Sequence, residues 1–286
     1  MIAASGLASS TAADALDRLA GAGCAPSDWR WIEDGEAADI PFTGDPAAAR
    51  VAIEGVFLAT DVVVQAEATR AKTLLVADMD STMITVECID ELADYAGIKP
   101  QIAEVTERAM RGELDFAAAL DARVALLAGL DEAMIERCLT ERVKIMPGAV
   151  ALVRTMRANG AKTVLVSGGF TRFAEPVARQ IGFHRALANT LDIAEGALAG
   201  TVGKPIVDAA VKQATLEAEA RGMDRALTMA VGDGANDLAM IGVAGLGVAY
   251  HAKPVVAAAA GARIDHNDLS ALLFAQGYAR AEWIAQ

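Results

Sequence analysis

Asp78-Met79-Asp80-Ser81-Thr82 stands directly behind the apolar run Thr73-Leu74-Leu75-Val76-Ala77. A strand that ends in two carboxylates at i and i+2 delivers both to one edge of a sheet, with Met79 between them turned the other way into an apolar core. There the two acids can share a metal ion, or divide nucleophilic and acid–base roles. So short a pattern, taken alone, is more often a turn cap than a reaction centre. The stretches further down the chain decide between the two.

Ser167-Gly168-Gly169 follows the apolar run 163–166 and precedes a helix predicted from about Thr171. A hydroxyl and glycine amides at a helix N-terminus form an anion pocket, so Ser167 and the amide of Gly168 are expected to hold an oxyanion. Gly232-Asp233-Gly234-Ala235-Asn236-Asp237 follows the run 226–231 and sets Asp233 and Asp237 four residues apart at a helix start. Hard oxygen ligands of this kind suit Mg²⁺; a calcium loop would need alternating ligands ending in Glu.

Apolar β-rich runs at 73–77, 163–166, 226–231 and 246–249 alternate with helical stretches. They predict parallel strands buried on both faces, joined by right-handed crossovers into a doubly wound sheet. Ligands bind such sheets at the carboxyl ends of the strands, where all the polar stretches fall. The segment 86–145 interrupts this rhythm with four helices, at 86–96, 100–111, 116–128 and 132–140. Gly97, Gly112 and Gly129 are the stops, and Asp115 and Asp131 the N-caps. Inserted directly after the carboxylate loop, they are expected to form a cap over the cleft.

Residues 1–70 differ in texture. A strand at 2–4, a helix at 12–22, strands at 29–32 and 37–40 about the turn Asp34-Gly35, a helix at 46–58 and a strand at 61–65 follow in order. That βαββαβ order is the ferredoxin-like split βαβ unit. The expected fold is therefore α/β, with three parts: an N-terminal α+β domain at 1–70, a core at 71–85 and 146–286, and a helical cap at 86–145.

Hydrophobic residues make up 54% of the 286, enough for a sizeable core, and the net charge of −13 argues against nucleic-acid or anionic-membrane surfaces. Cys24, Cys88 and Cys138 are widely spaced and read as reduced thiols. The N-terminus lacks the basic stretch and apolar core of a signal peptide, so a cytoplasmic protein is expected. A homodimer is compatible with this reading.

These motifs, in this order and over residues 72 to the end, resemble the haloacid dehalogenase superfamily of phosphohydrolases, and within it the branch that hydrolyses phosphoserine. The resemblance implies Asp78 as nucleophile, Asp80 as general acid–base, and Ser167, Gly168 and Asn236 as phosphate ligands. It singles out Lys212, on a helix predicted between 206 and 221, as the cation that neutralises the phosphoryl oxygens; Lys204 is expected only to start that helix. It assigns Mg²⁺ to Asp78, Asp233 and the backbone carbonyl of Asp80, with Asp237 supporting. In the cap it implies that Glu87 receives a substrate ammonium and Arg123 its carboxylate, the latter in the two-pronged manner a guanidinium allows. Met110 and Phe116 would be apolar walls. The N-terminal topology is shared with ACT modules, and here an interface role without a ligand is expected. Two other readings are an enzyme acting on a different phosphomonoester or passing the phosphoryl group to an alcohol such as homoserine, and a non-catalytic amino-acid sensor.

Overall fold

The computed structural model describes residues 1–284, and the side chain of Met110 also lies outside the described part. The N-terminal unit runs β1 (Ile2–Ala3), α1 (Ser9–Gly21), β2 (Ala25–Pro26), β3 (Arg30–Glu33), β4 (Ala37–Asp39), β5 (Phe42–Thr43), α2 (Pro46–Ile53) and β6 (Thr60–Asp61). Then come β7 (Leu74–Ala77) and the cap helices α3 (Cys88–Tyr95), α4 (Lys99–Met110), α5 (Phe116–Leu126) and α6 (Ala133–Glu141). The chain continues through α7 (Ala149–Ala158), β8 (Lys162–Phe170), α8 (Thr171–Ile181), β9 (Arg185–Asn189), β10 (Leu191–Ala194), β11 (Ala197–Val202) and α9 (Ala209–Glu219). It closes with β12 (Thr228–Gly232), α10 (Leu238–Val243), β13 (Leu246–Tyr250), α11 (Pro254–Ala259), β14 (Ala262–Ile264) and α12 (Ala271–Gln276).

Six parallel strands form the central sheet in the order β14-β13-β12-β7-β8-β9. The period of two along each strand divides its side chains between two cores. Leu75, Ala77, Leu165, Met229 and Val231 enter one apolar cluster, and Leu74, Val76, Val164, Val166 and Ala230 the other. Burial on both faces is why these strands read as unbroken apolar runs. From β7 the chain moves out to β8 and β9, then returns across β7 to build β12, β13 and β14. The order of strands therefore reverses between β7 and β12, and a crevice opens at their carboxyl ends.

The cap is tied to the core by a narrow neck. Ile84 and Ile145 form an isolated antiparallel bridge, flanked by Thr85 N–H to the Lys144 carbonyl (3.0 Å) and Met146 N–H to the Met83 carbonyl (2.9 Å). A second support was not foreseen: the hairpin β10–β11 leaves the core and pairs with the α5–α6 connection. Gly129 N–H reaches the Leu198 carbonyl and Leu198 N–H the Leu130 carbonyl, both at 2.8 Å. Two edge strands, β9 and β14, also lay outside the sequence reading, being short and only partly apolar.

In the N-terminal unit β3, β4, β1 and β6 form one antiparallel sheet in that order. The pair joined by α1 (β1 and β3) is separated by β4, and the pair joined by α2 (β4 and β6) by β1, which is the split βαβ arrangement. Two expectations shrink. The second helix ends at Ile53, ahead of the left-handed Gly55, and the last strand, Thr60–Asp61, keeps only Asp61 of the run expected at 61–65. This sheet is not a bead on a string, because Ile2 and Ala37 join the main core cluster. No described helix is long and apolar enough to cross a membrane.

Asp61 fastens the unit to the core. Its buried carboxylate accepts the backbone N–H of Asp265 (2.8 Å), His266 (3.2 Å) and Asn267 (3.0 Å), and the Asn267 side-chain amide (2.8 Å). Among the described residues it has no ion pair, so the three backbone N–H groups and the Asn267 amide satisfy the charge. Asp61→Ala leaves those donors unpaired and is expected to cost about 3 kcal/mol in denaturant unfolding. A variant as stable as the parent would show that the clamp contributes nothing.

Candidate active site

The last ladder bond of β7 is Asp78 N–H to the Val231 carbonyl (2.9 Å), so the Asp78 side chain emerges at the point where the strand order reverses. Its Oδ1 accepts the Met79 N–H (2.8 Å) and the Lys212 ammonium (2.6 Å). Lys212 is wholly buried and also bonds Asp237 Oδ1 (2.7 Å), while Asp237 Oδ2 accepts the N–H of Gly234 (3.1 Å). Lys212 reaches this position because α9 starts at Ala209, N-capped by Asp208, whose side chain accepts the Val211 N–H (2.9 Å). The expectation for Lys204 does not hold: it lies ahead of α9 and grips both carboxylate oxygens of Asp121 on α5, each at 2.8 Å.

Burial disfavours the Lys212 ammonium, yet the two carboxylates outweigh that and raise its pKa. Asp78 is pushed well above the usual carboxylate range, first by burial and then by Asp237. Two buried acids share one ammonium, and negative charge is left over. Carboxylate oxygens of Asp78, Asp233 and Asp237 all lie within 4.8 Å of one another. Oxygen donors carrying surplus negative charge fit a hard divalent cation.

Asp80 Oδ1 accepts the N–H of Cys88 (3.2 Å), the first residue of α3. Burial, and then the charge of Glu87, push its pKa up to about 7. The loop between these groups turns through Ser81, a non-glycine residue at φ 55°. Ser81 Oγ donates to Glu87 Oε1 (2.6 Å), and the buried Thr82 hydroxyl donates to Asp233 Oδ1 (3.0 Å). Asp233 rises to about 6 through burial, opposed by the Thr82 bond. The role of Thr82 was missed although it stands in the first stretch quoted above. Spacing alone cannot say which carboxylate a hydroxyl will meet.

The strand expected to end at 166 instead runs on to Phe170: residues 167–169 form a break in register inside β8, and α8 starts at Thr171 as expected. Ser167 is buried and its Oγ accepts the Gly169 N–H (2.8 Å). Glycine is required at 169, where a Cβ would lie 2.7 Å from Asp80 Oδ2; at 168 one would meet the Phe116 ring at 2.9 Å. Phe116 thus closes the cap onto the bulge. Arg123 is half-buried on the same helix, its Nε bonded to the Ala119 carbonyl (3.3 Å), and has no ion pair among the described residues. Burial lowers its pKa, while Asp90, Glu87 and Asp80 counter that effect. Glu87 is exposed at the start of α3, and Asn236 half-buried after Gly234. The expected wall residue Met110 has its side chain outside the described part.

A doubly wound sheet with a buried lysine between carboxylates at its reversal point, roofed by an inserted helical subdomain, defines a class of α/β proteins built about a strand-end aspartate. The chain belongs to the haloacid dehalogenase-like hydrolase family, whose model matches residues 75–242, with a second model of the same description over 210–275. It is 45% identical over 242 residues to a phosphoserine phosphatase of Streptomyces coelicolor, covering 83% of this chain and 59% of that one. It is 46% identical over 215 residues to phosphoserine phosphatase SerB2 of Mycobacterium tuberculosis, covering 74% and 52%. The chain thus spans little more than half the length of these two relatives. The unliganded crystal structure of a probable phosphoserine phosphatase from Vibrio cholerae superposes with a TM-score of 0.78 at 35% identity, covering 96% of this chain and 85% of that one.

The raised pKa of Asp80 has a consequence for stability. Between the ordinary value of 3.8 and about 7, the folded chain keeps a proton that the unfolded chain has lost. Stability is therefore fully present below that window and lost as pH rises through it. Asp80→Asn removes the loss. With chelator present, the variant's melting temperature should match the parent near pH 4 and exceed it by several degrees at pH 8. A difference that does not change with pH would mean that Asp80 ionises freely.

Proposed function

We propose that the chain is a Mg²⁺-dependent phosphatase that hydrolyses O-phospho-L-serine to serine and phosphate through an aspartyl-phosphate at Asp78. The observation that carries this reading is the Lys212 ammonium on Asp78 Oδ1, 2.6 Å away. Together with the Met79 N–H it occupies Oδ1, leaving Oδ2 as the nucleophilic oxygen. The names of the relatives support the same reading.

Asp78 Oδ2 attacks phosphorus and the ester P–O bond breaks, its electron pair passing to the serine oxygen. Asp80, held protonated near neutral pH, delivers its proton to that oxygen. The resulting carboxylate then takes a proton from water. The water oxygen attacks phosphorus, the Asp78–phosphorus bond breaks, and Asp78 is restored. Ser167, the Gly168 amide and Asn236 would hold the phosphoryl oxygens in this reading. Asp78, Asp233 and the Asp80 carbonyl would hold Mg²⁺, which when bound supplies positive charge for those oxygens. Asp237 bonds both Lys212 and the Gly234 amide, which suits it to orienting the ammonium.

The cap would choose the substrate. Among the described residues Arg123 has no ion pair, so a substrate carboxylate would pair with it, and Glu87 would take the ammonium through the oxygen that Ser81 leaves free. Phe116 would wall the apolar side.

Asp78→Asn should lower phosphate release from phosphoserine by at least about 10³-fold without unfolding the chain. Turnover near the parent level would remove Asp78 as the nucleophile. Arg123→Ala should cut kcat/KM for phosphoserine about 100-fold and leave an aryl phosphate without a carboxylate within about threefold. Equal losses on both esters would overturn the carboxylate assignment. Hydrolysis of other phosphomonoesters but not phosphoserine would keep the chemistry and reject the substrate.

A further inference from the structure

Asn189, at the end of β9, is 1% exposed, and the reaction above makes no use of it. Its Oδ1 accepts the N–H of Val207 (2.7 Å), which fixes which end of the amide is which. Its Nδ2 donates to the Gly168 carbonyl (2.8 Å) and, more weakly, to the Val207 carbonyl (3.4 Å). Asn189 faces Phe170 in the ladder, across the register break that frees residues 167–169 from regular pairing. Its side chain thus supplies a bond that the strand ladder does not.

Each partner leads into the site. The Gly168 carbonyl belongs to the planar Gly168–Gly169 peptide, whose N–H points the opposite way and donates to Ser167 Oγ (2.8 Å). Because that N–H occupies an Oγ lone pair, the hydroxyl proton is left to be donated elsewhere. Val207 immediately precedes Asp208, the N-cap of the helix that carries Lys212.

We propose that Asn189 is a positioning residue: by pinning the Gly168–Gly169 peptide it holds the Ser167 hydroxyl as a donor to the phosphoryl group, in register with the Lys212 helix. This rests on the phosphatase reading above. An apolar side chain of the same size would fill the space but leave that peptide free to rotate, and Ser167 would lose its fixed orientation. The ground-state affinity for substrate would then change less than the stabilisation of charge on the transferring group.

The test is a double-mutant cycle with Mg²⁺ present, read as kcat and KM on 4-nitrophenyl phosphate and on phosphoserine. Asn189→Ala should lower kcat about 10- to 100-fold and move KM little. In a Ser167→Ala background the same change should cost less than about threefold, because the group it acts through is gone. Asn189→Asp keeps the acceptor for Val207 but loses the donor to Gly168, so it should be as slow as the alanine variant. It also decides the matter in the same cycle if the alanine variant does not fold. Multiplying losses in the double variant, or parental kcat in Asn189→Asp, would overturn the proposal. Parental hydrolysis of the aryl ester but not of phosphoserine would defeat only the substrate reading, and the cycle would then be decided on the aryl ester. No hydrolysis of either ester would overturn both.

Discussion

One ammonium with no exposed surface, Lys212, lies between Asp78 and Asp237, and the rest of the site is arranged around it. A buried charge is tolerable only when paired, and breaking such a pair costs about 3–5 kcal/mol because the remaining partner is stranded. The three groups come from the end of β7, the first turns of α9 and the turn after β12. Their mutual need fixes α9 against the sheet and closes the turn after Gly232 over the β7 end. The apolar layers on either side allow the strands to lie together; this triad specifies where they deliver their polar ends. The place of delivery follows from topology, since β7 and β12 are the neighbours between which the strand order reverses.

In the proposed reaction, chemistry and selection would fall to different layers of the molecule. The sheet edge carries the groups that would act on any phosphomonoester, and α5 carries Phe116 and Arg123, which would distinguish one ester from another. A helix that would both admit substrate and place a guanidinium would need attachments of limited strength. The neck at Ile84 and Ile145 is one, the hairpin β10–β11 another, and the exposed Lys204–Asp121 pair a third. Exposed ion pairs are worth roughly 0–1 kcal/mol, so this tie can break and re-form without endangering the fold.

Much of this was legible from the residues. The carboxylate stretch after 73–77, the four cap helices with their glycine stops, and the acidic turn after 226–231 rest on local signals: period, caps and strand ends. The departures share a cause. The strand before Ser167-Gly168-Gly169 was read as ending at 166, where glycines interrupt the apolar run, yet it continues through them with its register broken, a matter of partner strand rather than of sequence. The hairpin β10–β11 takes its partner from the cap, more than sixty residues earlier in the chain, as Leu198 pairing about Gly129 and Leu130 shows. Asn189 left no mark at all. The role proposed for it rests on two backbone segments that meet only in the folded chain, and a single asparagine has no periodicity.

The electrostatics of the site set a demand that the side chains do not meet. Asp78, Asp80, Asp233 and Asp237 converge there, against one lysine that is itself consumed by two of them. Net charge over the whole molecule is −13, so the wider field adds no attraction for an anion. Burial answers part of the problem by holding Asp80 near pKa 7 and Asp233 near 6, so that fewer of the acids are ionised. Arg123, unpaired among the described residues, adds one cation at the rim. A phosphoryl group would still enter a net negative cavity. A divalent cation held by Asp78 and Asp233 would offset that charge, so the donor set and the anionic ligand it is proposed to receive would favour the same ion.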